Sequence, residues 1–194
     1  MAKTWKDTDI KLEPIKNQTI AVIGYGIQGD AQANNLKDSG LNVIVGLKQG
    51  TPTWNKAKSD GHSVMSVAEA TKKGDIIHIL IPDMVQSQVY KDEILPNLSS
   101  GKALSFSHAA AIQWNWIKAP ENVDVIMVAP KGPGSKVRET YQQGFGTPAI
   151  VAVYQDKTGK AWDRVLAIGK GIGSARAGLI QTTFKEEEIG RAHV

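Results

Sequence analysis

The run T-I-A-V-I-G-Y-G-I-Q-G, Thr19 to Gly29, constrains the fold of this chain more than any other stretch. Four apolar residues, Ile20 to Ile23, lead straight into G-Y-G-I-Q-G. D-A-Q-A-N-N-L follows, with Ala31, Leu36 and their neighbours at helical spacing. Strand, tight turn and helix start in that order are the context a dinucleotide-binding fingerprint requires. In such a turn Gly24 permits the sharp bend, Gly26 lets the backbone approach a pyrophosphate, and Gly29 lets the helix pack close to the strand. The free N–H groups at the helix start then face the phosphates. Glycine-rich turns are common in themselves. The strand before and the helix after favour nucleotide binding over a plain structural turn.

A second strand is expected over 41–46. Where its C-terminal end meets a dinucleotide, an acidic residue binds the ribose 2′-hydroxyl of NAD. Here the end reads G-L-K-Q-G-T-P-T, with no carboxylate, one cation (Lys48) and two hydroxyls (Thr51 and Thr53). A 2′-phosphate wants positive charge and hydrogen-bond donors, so the loop favours NADPH over NADH.

The remaining elements alternate. A short helix is expected over 54–59 and a short strand over 62–64, with His62 exposed on it. Ser66 and Glu69 have capping-box spacing for a helix to Lys73. Asp75 to Pro82 reads as a buried strand with His78 in the core. Asp83 then caps a helix running to Ile94. Ala103 to His108 reads as a strand that carries a histidine to its C-terminal tip, a better place for chemistry than that of His78. Trp114 and Trp116 are expected to pack. Asn122 to Ala129 is another strand, and P-K-G-P-G-S follows it. A lysine in that rigid turn, Lys131, suits an anionic group such as a carboxylate; a tight turn with a solvated lysine is the structural alternative. A helix over 135–143, a strand over 148–155, a helix over 160–172 and a last strand within 175–182 complete the chain. Residues 1–18 form a polar lead-in whose short element is limited by Pro14. This alternation predicts an α/β fold of the Rossmann type: a doubly wound, mostly parallel sheet with helices on both faces.

Composition narrows the partners. The 194 residues suit one domain of ordinary size, and a 41% hydrophobic fraction supplies a packed core. The absence of Cys excludes disulfides, cysteine metal sites and cysteine nucleophiles, and fits a cytoplasmic protein. The opening M-A-K-T-W-K-D carries no apolar signal core, and no run reaches membrane-span length, so no membrane partner is expected. The net charge of +4 comes from scattered residues and argues against a nucleic-acid partner.

From about Trp5 to Glu187 the chain resembles ketol-acid reductoisomerase, the second common enzyme of branched-chain amino-acid synthesis. The motifs are G-Y-G-I-Q-G at 24–29, V-G-L-K-Q-G-T-P-T-W at 45–54, I-P-D-M-V-Q at 81–86, F-S-H at 106–108, V-D-V-I-M-V-A-P-K-G-P-G at 123–134 and T-T-F-K-E-E at 182–187. The resemblance implies that Tyr25, Gly26, Ile27 and Gln28 line the cofactor pyrophosphate and that Lys48, Thr51 and Thr53 bind the NADPH 2′-phosphate. It further implies that Asp83, Met84, Val85 and Gln86 contact the cofactor, that His108 is the active-site histidine, and that Lys131 and Gly134 sit beside nicotinamide and substrate. In such enzymes Mg²⁺ polarises a 2-acetohydroxy acid while an alkyl group migrates, and NADPH then delivers hydride to give a 2,3-dihydroxy acid.

The chain departs from the family's usual residues at Ala109, Gln113 and Gln181, where Gly, His and Glu are usual. In the family T-T-F-K-E-E leads into a helical domain carrying the carboxylate Mg²⁺ ligands, and the full-length form is expected to be a homo-oligomer. No metal ligands are therefore assigned here, and Glu186-Glu187-Glu188 reads as a solvated charge cluster. The expected organisation is a cofactor domain over 1–183, with 184–194 the start of that helical domain plus a non-native tail. Ile189 to Val194 back-translates as ATC GGA AGA GCA CAC GTC, which resembles a sequencing adapter and predicts a truncated reading frame, inactive alone. A stop codon after Val194 in independently prepared DNA would refute that. The alternatives are a stand-alone, non-catalytic NADPH-binding module and another NADPH-dependent reductase of hydroxy or imino acids.

Overall fold

A computed structural model describes residues 2–191. The strands are β1 (Thr4–Trp5), β2 (Thr19–Ile23), β3 (Asn42–Gly46), β4 (Ser63–Met65), β5 (Ile76–Ile79), β6 (Ala103–Phe106), β7 (Asp124–Pro130), β8 (Ala149–Gln155) and β9 (Leu179–Gln181). The helices are α1 (Glu13–Lys16), α2 (Ile27–Asp38), α3 (Pro52–Ser59), α4 (Val67–Lys73), α5 (Asp83–Val89), α6 (Ala110–Gln113), α7 (Gly134–Gln142), α8 (Ala161–Gly171) and α9 (Phe184–Arg191).

Among the described residues these strands form one sheet in the order β1-β9-β8-β7-β6-β5-β2-β3-β4. β4 to β7 are parallel throughout that order. The antiparallel pairs are β7 with β8 and β1 with β9. From β2 the chain winds outward through β3 and β4, then returns to place β5 on the other side of β2 and winds the opposite way. The reversal between β2 and β5 is the switch point at which open α/β sheets bind ligands, outside the C-terminal strand ends.

Both faces of the sheet are covered, which is why its strands read as continuous apolar runs. Ile20, Val22, Ile126 and Val128 face α2 and α8, while Ala21, Ile23, Val125 and Met127 face α4, α6 and Phe184. One buried ion pair ties the layers together: Arg164 Nη1 lies 2.7 Å from Asp124 Oδ2. Asp124 also accepts from Lys157 N, Thr158 N and Thr158 Oγ1, so its lone pairs are met.

The expected fold class is the observed one, and the differences are local. The lead-in is not separate from the sheet, because β1 pairs with β9 and the Trp5 ring packs at a tilt on Trp162, with centroids 5.6 Å apart. Pro14 lies in the first turn of α1, where a missing N–H costs nothing. The helix expected to reach Ile94 leaves α geometry at Tyr90 and continues as a π-helical turn, Tyr90–Ile94. β6 ends at Phe106, so Ser107 and His108 lie beyond it, free of the strand ladder.

Candidate functional site

The glycine-rich turn is built as its spacing requires. Gly24 has φ of +102°, and a Cβ there would lie 2.8 Å from the Leu80 carbonyl oxygen. A Cβ on Gly29 would lie 2.3 Å from the Gly24 carbonyl oxygen, so α2 closes directly onto the turn. A Cβ on Gly26 would meet nothing within 4 Å. Gly26 is also the N-cap of α2 and offers its first N–H groups no side chain. The result is an open cradle with amides and the positive end of a helix dipole behind it.

This cradle forms the middle of a cleft of ≈ 930 Å³ across the switch point. On the β3 side stand Leu47 and Thr53; the fingerprint turn contributes Gly24 to Gln28; on the far side are Ser107, His108, Lys131, Gly132 and Glu187. Lys48 and Thr51 flank the Thr53 end. Thr51 Oγ1 donates to Lys48 O at 2.9 Å, lies 3.2 Å from Thr53 Oγ1 and caps α3 by accepting from Trp54 N. The exposed Lys48 makes no ion pair among the described residues, leaving its charge available.

Two side-chain pairs with carboxylates occupy the other end. His108 Nε2 lies 2.7 Å from Asp83 Oδ1, in the first turn of α5. His108 Nδ1 is buried and has no partner among the described residues. Glu187 Oε1 lies 3.4 Å from Lys131 Nζ, while its Oε2 accepts from Ala109 N at 2.9 Å. Glu187 is the cleft residue that sequence reasoning missed: it is not part of a solvated cluster, since its side chain is only 2% exposed. A signal for it exists. Thr183 and Glu186 form a capping box that starts α9 at Phe184. Phe184 is buried, and Glu187 lies one turn on, on the same face.

The other predicted residues divide by place. Gly24, Tyr25, Gly26, Ile27, Gln28, Thr53, His108 and Lys131 come together in the cleft wall. Met84 is 97% exposed beyond it. Val85 is exposed too, and Gln86 is buried, donating to Ile81 O at 2.9 Å to tie α5 to the end of β5. Gly134 does not line the cleft. A Cβ there would lie 2.2 Å from Ile27 O, so its smallness lets α7 approach α2. His62 is a correction: it is buried, not exposed, lies 3.1 Å from Asn34 Oδ1 and meets the Tyr25 ring edge-on. Burial holds its imidazole below the usual range. The Tyr25 hydroxyl donates to Asp60, and burial together with that carboxylate pushes its acidity far below that of a free phenol. Trp114 and Trp116 are largely exposed where packing was expected, though Trp114 Nε1 donates to Glu188 Oε1 at 3.0 Å. Of the expected tail, Ile189 to Val194, the first three residues continue α9 and the last three lie outside the described residues.

Fold and cleft together define a dinucleotide-binding domain of the doubly wound class. Residues 14–178 match the family described as acetohydroxy acid isomeroreductase, NADPH-binding domain. The chain is 80% identical over 187 residues to a ketol-acid reductoisomerase (NADP(+)) of Nitrosopumilus maritimus, covering 96% of this chain and 56% of that one. It is 57% identical over 187 residues to the enzyme of that name from Methanopyrus kandleri, covering 96% of this chain and 57% of that one. An NADH-preferring ketol-acid reductoisomerase from an uncultured archaeon superposes with a TM-score of 0.95 at 46% identity, over 98% of this chain and 59% of that one. A semialdehyde dehydrogenase NAD-binding protein from Cupriavidus necator shares the fold alone, with a TM-score of 0.72 at 20% identity over 89% of this chain and 65% of that one. The chain belongs to the acetohydroxy acid isomeroreductase family, of which it contains the NADPH-binding domain. It spans about half the length of the curated relatives it matches.

Proposed function

We propose that this chain is the cofactor half of a ketol-acid reductoisomerase, a cytoplasmic homo-oligomer at full length. It holds NADPH for the conversion of a 2-acetohydroxy acid to a 2,3-dihydroxy acid. The observation that carries the reading is the open cradle at Gly26, flanked by free Lys48 with Thr53 at one end and by the His108 and Lys131 pairs at the other. Lys48, Thr51 and Thr53 take the 2′-phosphate; Tyr25 to Gln28 and the start of α2 take the pyrophosphate. α5 borders the cofactor through Asp83 to Gln86, and Gly134 supports the wall from behind.

When bound, NADPH supplies the hydride. The chain's own residues handle charge and protons. Asp83 holds the His108 ring through Nε2 and so orients it at the cleft wall. Lys131 offers an ammonium to a substrate oxygen, and Glu187 positions it. A nucleotide module without chemistry has no need of two such pairs beside the cofactor. Mg²⁺ does not fit the described residues: no three metal-ligating side chains converge. Asp83 and His108 are committed to each other, and Glu187 to Lys131 and Ala109. We place the cofactor domain at 1–183, with α9 leading on from it.

The test is a side-by-side titration of the 194-residue chain with NADPH and NADH. Tighter binding of NADPH is expected; equal affinity, or preference for NADH, refutes the assignment of the Lys48 loop.

A further inference from the structure

The buried histidine of β5 makes more hydrogen bonds than packing requires. The Gly132 carbonyl only accepts, so Gln28 donates to it through Nε2 at 3.0 Å. Gln28 Oε1 therefore turns to Gln32, whose Nε2 donates at 3.0 Å. The same Gln32 amide donates its second hydrogen to Ser107 Oγ at 3.1 Å. Gln32 Oε1 is then left facing His78 Nε2 at 2.8 Å, which must carry the proton. His78 Nδ1 accepts from Ser105 Oγ at 2.9 Å. Gln32, His78 and Ser105 are fully buried, so water offers no alternative partners. One backbone carbonyl thus sets the direction of every bond in the run.

The consequence falls on Ser107. Its Oγ accepts from Gln32, and among the described residues no acceptor takes its own hydrogen. Ser107 lines the cleft beside His108, on the side away from Thr53. A dinucleotide laid across the switch point with its adenosine at the β3 end brings its nicotinamide half to this place. We propose that Ser107 is a cofactor-binding residue that donates its hydroxyl hydrogen to an oxygen of the nicotinamide half. The Gly132 carbonyl fixes this polarity through Gln28 and Gln32, and His78 completes it by donating to Gln32 Oε1. The inference rests on reading the cleft as the dinucleotide site. A side chain without a donor at position 78 leaves Gln32 Oε1 buried and unpaired. The amide cannot turn over to meet it, because Gln28 Oε1 still needs the Gln32 donor.

The test titrates the 194-residue chain with NADPH and, in parallel, with 2′,5′-ADP, which carries the adenosine half alone. Ser107→Ala is expected to weaken NADPH about tenfold and to leave 2′,5′-ADP unchanged. Ser107→Thr, which keeps the hydroxyl, retains wild-type affinity, and so does His78→Gln, which keeps a donor to Gln32 and leaves the direction of the run unchanged. Unchanged NADPH affinity in Ser107→Ala, failure of Ser107→Thr to retain it, or an equal loss of 2′,5′-ADP overturns the inference while the cleft reading stands. A wild-type chain that binds neither ligand overturns both.

Discussion

Gly29 and Gly24 are in contact so close that a single carbon separates a folded turn from a clash: a Cβ at 29 would stand 2.3 Å from the Gly24 carbonyl oxygen. Gly26, between them, has open space. The two outer glycines serve the fold, and the middle one leaves the turn open. Gly29→Ala is therefore expected to destabilise the domain by at least about 1–3 kcal/mol, the usual cost of overpacking. Gly26→Ala keeps the wild-type melting temperature but loses NADPH affinity, because its methyl occupies the approach to the pyrophosphate. Thermal melts and cofactor titrations on both variants separate the two roles; a Gly26→Ala chain that binds NADPH normally places the pyrophosphate elsewhere.

Lys48 is expected to set the preference between cofactors. Its ammonium is exposed and unpaired among the described residues, next to the Thr51–Thr53 hydroxyl pair. Lys48→Ala is expected to cost NADPH on the order of tenfold or more in affinity, as for loss of one charge-assisted hydrogen bond, and to leave NADH nearly unchanged. The NADPH loss shrinks at high salt, since the site is open to solvent. Parallel losses for both cofactors would move the role of Lys48 away from the 2′-phosphate.

Glu187 holds the far wall. Removing its carboxylate strands the buried Ala109 N–H, which it receives at 2.9 Å, and releases Lys131. Glu187→Ala is expected to lower stability by about 1–3 kcal/mol. Glu187→Gln keeps an acceptor for Ala109 and costs less. Urea unfolding of the two variants measures the difference, and equal stability would mean that the Ala109 amide finds another partner.

The neutral state of His78 makes stability depend on pH. Burial holds its imidazole down at about 4, against an ordinary 6.5. Above pH 6.5 the ring is neutral in both folded and unfolded chains and contributes no pH dependence. As the pH falls through 6.5 the unfolded chain takes up the proton first, so stability drops until the folded value near 4 is reached. The loss over this window is on the order of 3 kcal/mol. His78→Gln removes it, and comparison of denaturation midpoints at pH 7 and pH 4.5 in the two chains checks the expectation.

Much of the fold was legible because its signals are local. The apolar run of β2, the turn glycines, the Ser66–Glu69 capping box and the spacing of turn residues act over a few positions, and the observed elements follow them closely. The class of the sheet followed from alternation alone. Element ends were less readable: the change of geometry at Tyr90 and the early end of β6 at Phe106 depend on what packs above them.

The sequence by itself determined that this chain forms a doubly wound domain with a glycine turn open to phosphate and a loop without a carboxylate after β3. Only the tertiary structure decided which distant residues meet there. Glu187 reaches Lys131 and Ala109 across 56 and 78 positions. Gln32 finds Ser107 across 75, and His62 is buried against Tyr25 and Asn34. Gly134 lets α7 close onto Ile27, distant in the chain. The physical reason is common to all of them. Hydrophobic period and turn chemistry report a residue's own neighbourhood along the chain. Desolvation, and the pairing of buried polar groups that it enforces, is imposed by neighbours that the fold brings in from elsewhere.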